Sequence, residues 1–214
     1  MKTLPGLLVI IRHGESEWNA QGRWTGITNI LLTEKGHREG ELMGEKLQDL
    51  KFDIAYVSEQ DRTLQTLQAA MRKHPQKELT HKVARAINER DYGKFTGKNK
   101  WEVKEEVGED VFTAIRRGWE YPVPDGESLK MVYERVVPFF TDTVLPHLAK
   151  GENVLIAAHG NSIRSLMKYI ENISDEDIAG VEMVFGTALL YRVDDSGHLA
   201  DKEVRSIETE LPPA

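Results

Sequence analysis

The chain has 214 residues, with 28 Lys and Arg against 35 Asp and Glu, a formal net charge of −7 and no cysteine. A hydrophobic fraction of 40% is enough for a sizeable buried core, whereas the negative charge argues against broad binding to nucleic acid or anionic lipid. The lack of cysteine excludes disulfides, thiolate nucleophiles and zinc–thiolate sites, and we expect a cytoplasmic location.

The first apolar run, residues 7–11, ends at Arg12 and His13. It is shorter than the apolar region of a secretory signal peptide, and no later stretch approaches the roughly 18 apolar residues of a membrane span, so we expect no membrane partner. Like Ile54–Val57 and Val154–Ala158, this run is continuous and rich in branched side chains. That pattern is typical of strands buried on both faces of an α/β sheet.

The interval after the first strand has helical periodicity. We predict a helix over residues 33–48 with Thr33 as its N-terminal cap. Gly36, Gly40 and Gly44 recur at every fourth position of this helix. Because each glycine costs about 1 kcal/mol of helix stability relative to alanine, we expect them to allow a close approach of the helix to the sheet.

The remainder of the chain continues the alternation of strands and helices. Further helices are predicted over residues 61–73, over 128–151 with a bend at Pro138, and around 163–170, followed by a hairpin that turns at 194–197. Strands separated by helices favour parallel pairing. We therefore predict a single α/β domain over 1–214, a three-layer sandwich with a mostly parallel sheet flanked by helices. Residues 91–127 would form an insertion over the strand ends, as a lid.

Two histidines stand directly after predicted strands, in His13-Gly14 and His159-Gly160. Ligands of open α/β sheets bind outside the carboxyl ends of the strands, so we expect the two imidazoles to be neighbours. A neutral imidazole nitrogen flanked by cations such as Arg12 can attack phosphorus and leave again without a metal. Taken alone, the pattern also fits a histidine that merely caps a strand end.

A series of further motifs along the chain supports the interpretation of His13 as a group that attacks phosphorus. They are RHGESEWN at 12–19, TG at 25–26, LT at 32–33, NERDYG at 88–93, GKNK at 97–100, RR at 116–117, GESL at 126–129 and AAHGNS at 157–162. In order and spacing they resemble the cofactor-dependent phosphoglycerate mutases of the histidine phosphatase superfamily, from residue 7 to about residue 193. The segment FGTA at 185–188 departs from the family's Thr-Gly-x-Pro pattern.

The resemblance implies a phosphoglycerate mutase-like fold and an isomerase of glycolysis and gluconeogenesis. Such an enzyme interconverts 3-phosphoglycerate and 2-phosphoglycerate, is primed by 2,3-bisphosphoglycerate and needs no metal. Its partner would be the small phosphoglycerate substrate, and we expect a monomer or a small homo-oligomer.

Residue by residue, the resemblance implies that His13 is the nucleophile and forms a phosphohistidine. It implies that Glu89 is the general acid and base, and that His159, Arg12 and Arg62 surround the transferring phosphoryl group. The substrate also carries a carboxylate, which needs further cations. The residues implied in substrate binding are Asn19, Thr25, Gly26, Tyr92, Lys100, Arg116, Arg117, Gly160 and Asn161.

Simpler and rival readings remain open at this point. Glu89 beside Arg90 could be a surface ion pair, and Arg116 with Arg117 could be a solvated helix end. The nearest rival function is a histidine phosphatase that hydrolyses a small phosphomonoester, in which water accepts the phosphoryl group. A catalytically silent module that only holds phosphorylated ligands is a second rival. The cationic surplus favours the mutase over the phosphatase.

Overall fold

The computed structural model describes residues 6–210, which form a six-stranded sheet with helices on both faces. The strands are β1 (Leu8–Arg12), β2 (Ile54–Val57), β3 (His81–Val83), β4 (Val154–Ala158), β5 (Thr187–Val193) and β6 (Leu199–Ser206). The helices are α1 (Glu17–Ala20), α2 (Glu34–Lys46), α3 (Asp61–Lys73), α4 (Lys100–Val107), α5 (Glu109–Arg117), α6 (Leu129–Phe139), α7 (Leu145–Ala149) and α8 (Gly160–Ile170). No helix within these residues is long and apolar enough to cross a membrane.

The strand order across the sheet is β3-β2-β4-β1-β5-β6. The first four strands are parallel, whereas β5 and β6 are antiparallel and form the C-terminal hairpin. The prediction of a mostly parallel sheet is thereby confirmed. β1 and β4 pair from Leu8↔Val154 to Arg12↔Ala158, and the amide of His13 still donates to Ala158 O at 3.0 Å. The residues that follow β1 and β4 are therefore neighbours.

Each face of the sheet is covered by its own helical layer. Successive side chains of a strand point to opposite faces, so Leu8 and Ile10 pack with α6, α7 and α8, whereas Val9 and Ile11 pack with α2 and α3. Both sets are fully buried. This double burial is the physical reason that the strand is a continuous apolar run.

The three glycines of α2 do not serve the approach to the sheet that we expected from the sequence. An added Cβ would lie 2.1 Å from Glu15 O at Gly36, 2.7 Å from Ala69 Cβ at Gly40 and 2.0 Å from Ala70 O at Gly44. The close approach is therefore to helix α3 and to the loop after β1. It also explains the spacing, because positions four apart share one helix face.

Helix α6 changes its hydrogen-bonding pattern just after Pro138, the residue at which the sequence predicts a bend. Pro138 has no N–H to donate to the preceding turn, and the helix continues from Phe140 to Val144 as a π-helical turn before α7 begins. A π-helical turn within a helix is a recognised cause of bending.

Residues 91–127 contain α4, α5 and a Pro/Gly loop. Their apolar side chains Val103, Phe112 and Ile115 form, together with Trp24, a small cluster separate from the two faces of the sheet. Because it includes Trp24, this cluster ties the segment to the loop after α1.

Candidate active site

A polar cavity of about 110 Å³ lies beyond the carboxyl ends of β1 and β4. The structure brings all the predicted site residues into its wall except His159, which lies directly behind His13. We call the part around His13, His159, Arg12, Arg62 and Glu89 the reacting end. The part around Lys100, Arg116, Arg117 and Glu182 is the distal end.

The imidazole of His13 has one nitrogen tied to the backbone and one left for chemistry. Nδ1 lies 2.7 Å from Gly14 O, and since a carbonyl only accepts, Nδ1 carries the proton. Nε2 is then the basic nitrogen, and Arg62 Nε donates to it at 3.3 Å. A lone pair on Nε2 is what a nucleophile toward phosphorus requires.

The surroundings of His13 hold its imidazole in the neutral form. Burial lowers the pKa of His13 well below its ordinary value, and the positive charges of Arg62 and Arg12 lower this pKa further. The hydrogen bond to Gly14 O acts in the opposite direction but is outweighed. At neutral pH the nitrogen is consequently unprotonated and nucleophilic.

His159 lies against His13, with the ring centroids 4.9 Å apart and the ring planes at 60°. The chain reverses into α8 at this residue, which is fully buried. Its Nε2 lies 2.7 Å from Ser58 Oγ, and its Nδ1 has no partner among the described residues. Burial and then the positive charges of Arg62 and Arg12 lower the pKa of His159 well below its ordinary value.

The guanidinium of Arg12 is oriented by the segment before β5. Arg12 Nη1 donates to Met183 O at 2.7 Å, and Arg12 Cζ lies 3.6 Å from the centre of the Phe185 ring. Gly160 approaches the same guanidinium, since a Cβ added there would lie 3.7 Å from Arg12 Cζ. Arg12 Nε is buried and has no hydrogen-bond partner among the described residues, so it can donate to an anionic ligand.

Arg62 comes from the first turn of α3 and is fully buried. Its Nη2 and Nη1 donate to Gly26 O and Thr28 O, each at 2.9 Å. Burial lowers the pKa of Arg62 to about 10; Glu89 acts to raise this pKa and Arg12 to lower it. The side chain stays cationic at neutral pH and is held rigidly beside His13.

Glu89 presents one carboxylate oxygen to the protein and the other to the cavity. Its Oε1 accepts from the amide of Arg90 at 2.7 Å and from Asn161 N and Nδ2 at 3.2 and 3.1 Å. Among the described residues Oε2 has no hydrogen-bond partner, and it lies beside Gly160. Oε2 is therefore the oxygen that can exchange a proton with a ligand.

The backbone amides and small polar groups of the cavity suit oxyanions. Asn19 Oδ1 accepts from Ser16, which leaves the Asn19 amide nitrogen for the cavity. Thr25 Oγ1 is buried and has no partner among the described residues. Gly160 opens α8, and a helix N-terminus favours anions.

The cations of the distal end come from residues 91–127. Lys100 begins α4, and Arg116 and Arg117 end α5. Burial, then the charges of Arg116 and Arg12, lower the pKa of Lys100 to about 8. Burial followed by Arg117 also lowers the pKa of Arg116. Such mutual repulsion between cations is relieved when an anion binds among them.

Hydrogen bonds through Asn161 connect the two ends of the cavity. Asn161 Nδ2 donates to Tyr92 Oη at 2.9 Å as well as to Glu89, and Arg164 Nη1 donates to Asn161 Oδ1 at 3.1 Å. Arg164 also donates to Arg117 O at 3.2 Å. The amide of Asn161 is thus fully engaged and fixes its neighbours.

Several residues of the site were missed by reasoning from the sequence. Ser58, the partner of His159, is one of them. The others lie in the cavity wall: Arg23, Trp24, Arg164, Glu182 and Met183. Arg164 could have been found, because it stands one helical turn after Asn161 on α8. For Glu182 and Met183 the sequence carries no local signal, since their segment reaches the cavity only through tertiary packing.

Comparison with known proteins identifies the family to which the chain belongs. Residues 8–200 match the histidine phosphatase superfamily (branch 1). A protein of Parvibaculum lavamentivorans named 2,3-bisphosphoglycerate-dependent phosphoglycerate mutase is 41% identical over 203 residues, which cover 94% of this chain and 97% of that protein. A protein of Schizosaccharomyces pombe named phosphoglycerate mutase is 39% identical and covers 94% and 96% of the two chains.

Solved structures agree on the fold. Bacillus stearothermophilus YhfR superposes with a TM-score of 0.80 at 24% identity, covering 91% of this chain and 95% of that chain. A phosphoglycerate mutase from Bacillus anthracis gives a TM-score of 0.71 at 22% identity, covering 96% and 94%. At these identities the likeness bears on the fold alone, and it confirms the predicted architecture.

Proposed function

Because the chain belongs to the histidine phosphatase superfamily, branch 1, and to the family of its 2,3-bisphosphoglycerate-dependent phosphoglycerate mutase relatives, we propose that it interconverts 3-phosphoglycerate and 2-phosphoglycerate. The proposed reaction passes through a phosphohistidine at His13 and is primed by 2,3-bisphosphoglycerate. This assignment makes the protein an isomerase of glycolysis and gluconeogenesis.

One observation carries the proposal: a nucleophilic nitrogen, a free carboxylate oxygen and a surplus of cations share one cavity. Of the residues that the structure describes, seven Arg and Lys side chains and two carboxylates line this cavity. A simple phosphomonoester needs cations only around its phosphate, whereas a phosphoglycerate presents a carboxylate as well. The surplus at the distal end therefore favours the mutase over a phosphatase.

The same wall suits the proposed priming cofactor. In this wall Arg12 Nε and Thr25 Oγ1 are buried polar atoms without a partner among the described residues, and buried polar groups normally have one. Phosphate oxygens would satisfy them, with Lys100 and Arg116 holding the remaining negative charge. When bound, 2,3-bisphosphoglycerate supplies the phosphoryl group that primes His13.

In the proposed mechanism Nε2 of His13 carries the phosphoryl group while Nδ1–H stays on Gly14 O. A hydroxyl oxygen of bound phosphoglycerate attacks the phosphorus, the N–P bond breaks, and Glu89 Oε2 accepts the hydroxyl proton. In the return step Nε2 takes the other phosphoryl group and Glu89 gives its proton to the oxygen that leaves. Arg12, Arg62 and His159 stabilise the charge on the equatorial oxygens.

The lid, residues 91–127, has a separate part in the proposal. It supplies Lys100, Arg116 and Arg117, so a bound anion draws it toward the reacting end. Closure would exclude water and so favour the glycerate hydroxyl as acceptor. We propose further that the enzyme acts in the cytoplasm and that it is a monomer or a small homo-oligomer. Light scattering of the purified protein would determine its oligomeric state.

Labelling tests the nucleophile directly. Incubation with ³²P-labelled bisphosphoglycerate should leave acid-labile, base-stable label on the protein. His13→Ala should abolish the label, whereas His81→Ala, which alters an exposed histidine of β3, should retain it. Equal labelling of His13→Ala would refute the assignment of His13.

A pair of assays separates mutase from phosphatase. An enolase-coupled assay measures isomerisation, and a parallel assay measures free phosphate. We expect isomerisation to exceed phosphate release by a wide margin. Phosphate release that outruns isomerisation would replace the mutase by the phosphatase, and tight phosphoglycerate binding without either activity would leave only a binding module.

A further inference from the structure

The distal end of the cavity contains an ion pair of its own. Arg117 Nη2 donates to Glu182 Oε1 at 3.0 Å, and both side chains line the cavity. Among residues 6–210 it is the one ion pair with both members in the cavity wall. A cation that we assign to ligand binding is therefore already occupied by a carboxylate of the protein.

The backbone on both sides of Glu182 is anchored to cavity residues. Arg164 Nη2 donates to Ile178 O at 2.7 Å, and Arg12 Nη1 donates to Met183 O at 2.7 Å. The Glu182 side chain itself is more than half exposed. Its position beside the cavity is thus imposed by the neighbouring backbone and does not depend on its own burial.

Glu182 carries its charge at neutral pH. Burial would raise its pKa, but Arg117, Arg116 and Arg12 together hold the pKa below its ordinary value. The other carboxylate of the wall, Glu89, is used in proton transfer in the proposed reaction, whereas Glu182 takes no part in it. Glu182 is left as a permanent negative charge at the entrance to a cationic site.

A ligand with its phosphate at His13 places any further anionic group at the distal end. That group must share Arg117 with Glu182, and repulsion by Glu182 increases with its charge. We propose that Glu182 is a specificity-determining residue, which limits the negative charge accepted at the distal end. Removal of the Glu182 charge should therefore strengthen binding most for the ligand that places the largest negative charge there. The inference rests on the proposed function, because it assumes a phosphate at His13.

Three phosphonates test the proposal without turnover. Propylphosphonate has no distal charge, 3-phosphonopropionate has a carboxylate, and propane-1,3-diphosphonate has a second phosphonate. Their P–C bonds are not cleaved, so no phosphoryl group moves to His13. Calorimetric titration therefore gives a true Kd for each phosphonate. In Glu182→Gln we expect an unchanged Kd for the first, a Kd about threefold lower for the second and about tenfold lower for the third.

Two further variants control for charge and shape. Glu120→Gln removes an exposed carboxylate that pairs with Lys130 outside the cavity and should leave all three Kd values unchanged. Glu182→Asp retains the negative charge, so the three Kd values should stay close to those of the protein with Glu182. An equal change for all three phosphonates, or no change for any, would overturn the proposal.

Failure of the proposed reaction would look different. If the Kd changes in Glu182→Gln were graded but the protein converted no phosphoglycerate, the proposed mutase reaction would be wrong and the role of Glu182 would stand. Conversion of phosphoglycerate with a flat response would keep the mutase and refute that role.

Discussion

The two ends of the cavity are built from different parts of the molecule. At the reacting end His13, His159 and Arg62 are at most 3% exposed and are held by the strand ends and by helix α3. At the distal end Lys100 and Arg116 are partly exposed and belong to residues 91–127, which have their own small apolar cluster. Charge that develops in a transition state is best stabilised by groups that do not reorganise, whereas attraction of an anion tolerates solvent.

From this difference we infer that, in the proposed reaction, reaction rate and substrate affinity depend on separate parts of the structure. Substitutions at the reacting end should lower kcat, and substitutions at the distal end should raise KM. The following changes test that division, beginning with the largest expected effect.

Glu89→Gln should lower kcat about 100-fold or more with little change in KM, because the amide keeps the size of the side chain but cannot exchange a proton. Steady-state kinetics in both directions would measure it. Glu59→Gln, which alters an exposed carboxylate of the β2–α3 loop that accepts a hydrogen bond from Asn88, is the matched control. A rise in KM with unchanged kcat would move Glu89 from proton transfer to binding.

Arg116→Gln should raise the KM for phosphoglycerate about tenfold, because a charge-assisted hydrogen bond is worth roughly 1.5–3 kcal/mol. The kcat should change much less. Arg72→Gln, which removes an exposed arginine paired with Glu41, should leave both constants unchanged. If kcat fell as steeply as kcat/KM, the division between the two ends would be wrong.

The pH profile should reveal Lys100. Its pKa is lowered to about 8 by burial and by Arg116 and Arg12, so the amine is charged below pH 8 and loses its charge above. We expect kcat/KM to bend downward near pH 8 and to fall by about tenfold at one to two units above it. Lys100→Arg should move this bend to higher pH, since a guanidinium keeps its proton. An identical profile in Lys100→Arg would assign the bend to another group.

Phe185→Leu should lower kcat about threefold, the smallest effect in this series. The ring stacks on Arg12 at 3.6 Å and lies edge-on to His13, with centroids 6.0 Å apart; a stack of this kind is worth about 0.5–2 kcal/mol. Val184→Ala alters the exposed neighbour and is the control. If Phe185→Leu changed KM but left kcat unaltered, the ring would not orient the Arg12 guanidinium for the reaction.

Much of the fold could be predicted because local pattern and burial coincide. The strands β1, β2 and β4 are buried on both faces and are therefore continuous apolar runs, and α3 lies at the predicted bounds. Strand β3 escaped prediction because all three of its residues are exposed at the sheet edge. An edge strand needs no apolar alternation to pair.

The site divides in the same way. His13 and His159 could be expected to meet because each directly follows a strand, and the structure places their rings in contact. The glycines of α2 were interpreted correctly as points of close approach, but the partner was wrong. Which surface a helix approaches depends on how the layers stack, and a single helix pattern carries no information about that.

The sequence by itself determined the strand runs, the helix caps and the set of residue types able to move a phosphoryl group, because these follow from short-range periodicity and side-chain chemistry. Only the tertiary structure decided that Phe185 stacks on Arg12 and that Glu182 pairs with Arg117, 65 residues away along the chain. Such contacts are created when distant segments pack together, and no local pattern of residues encodes them.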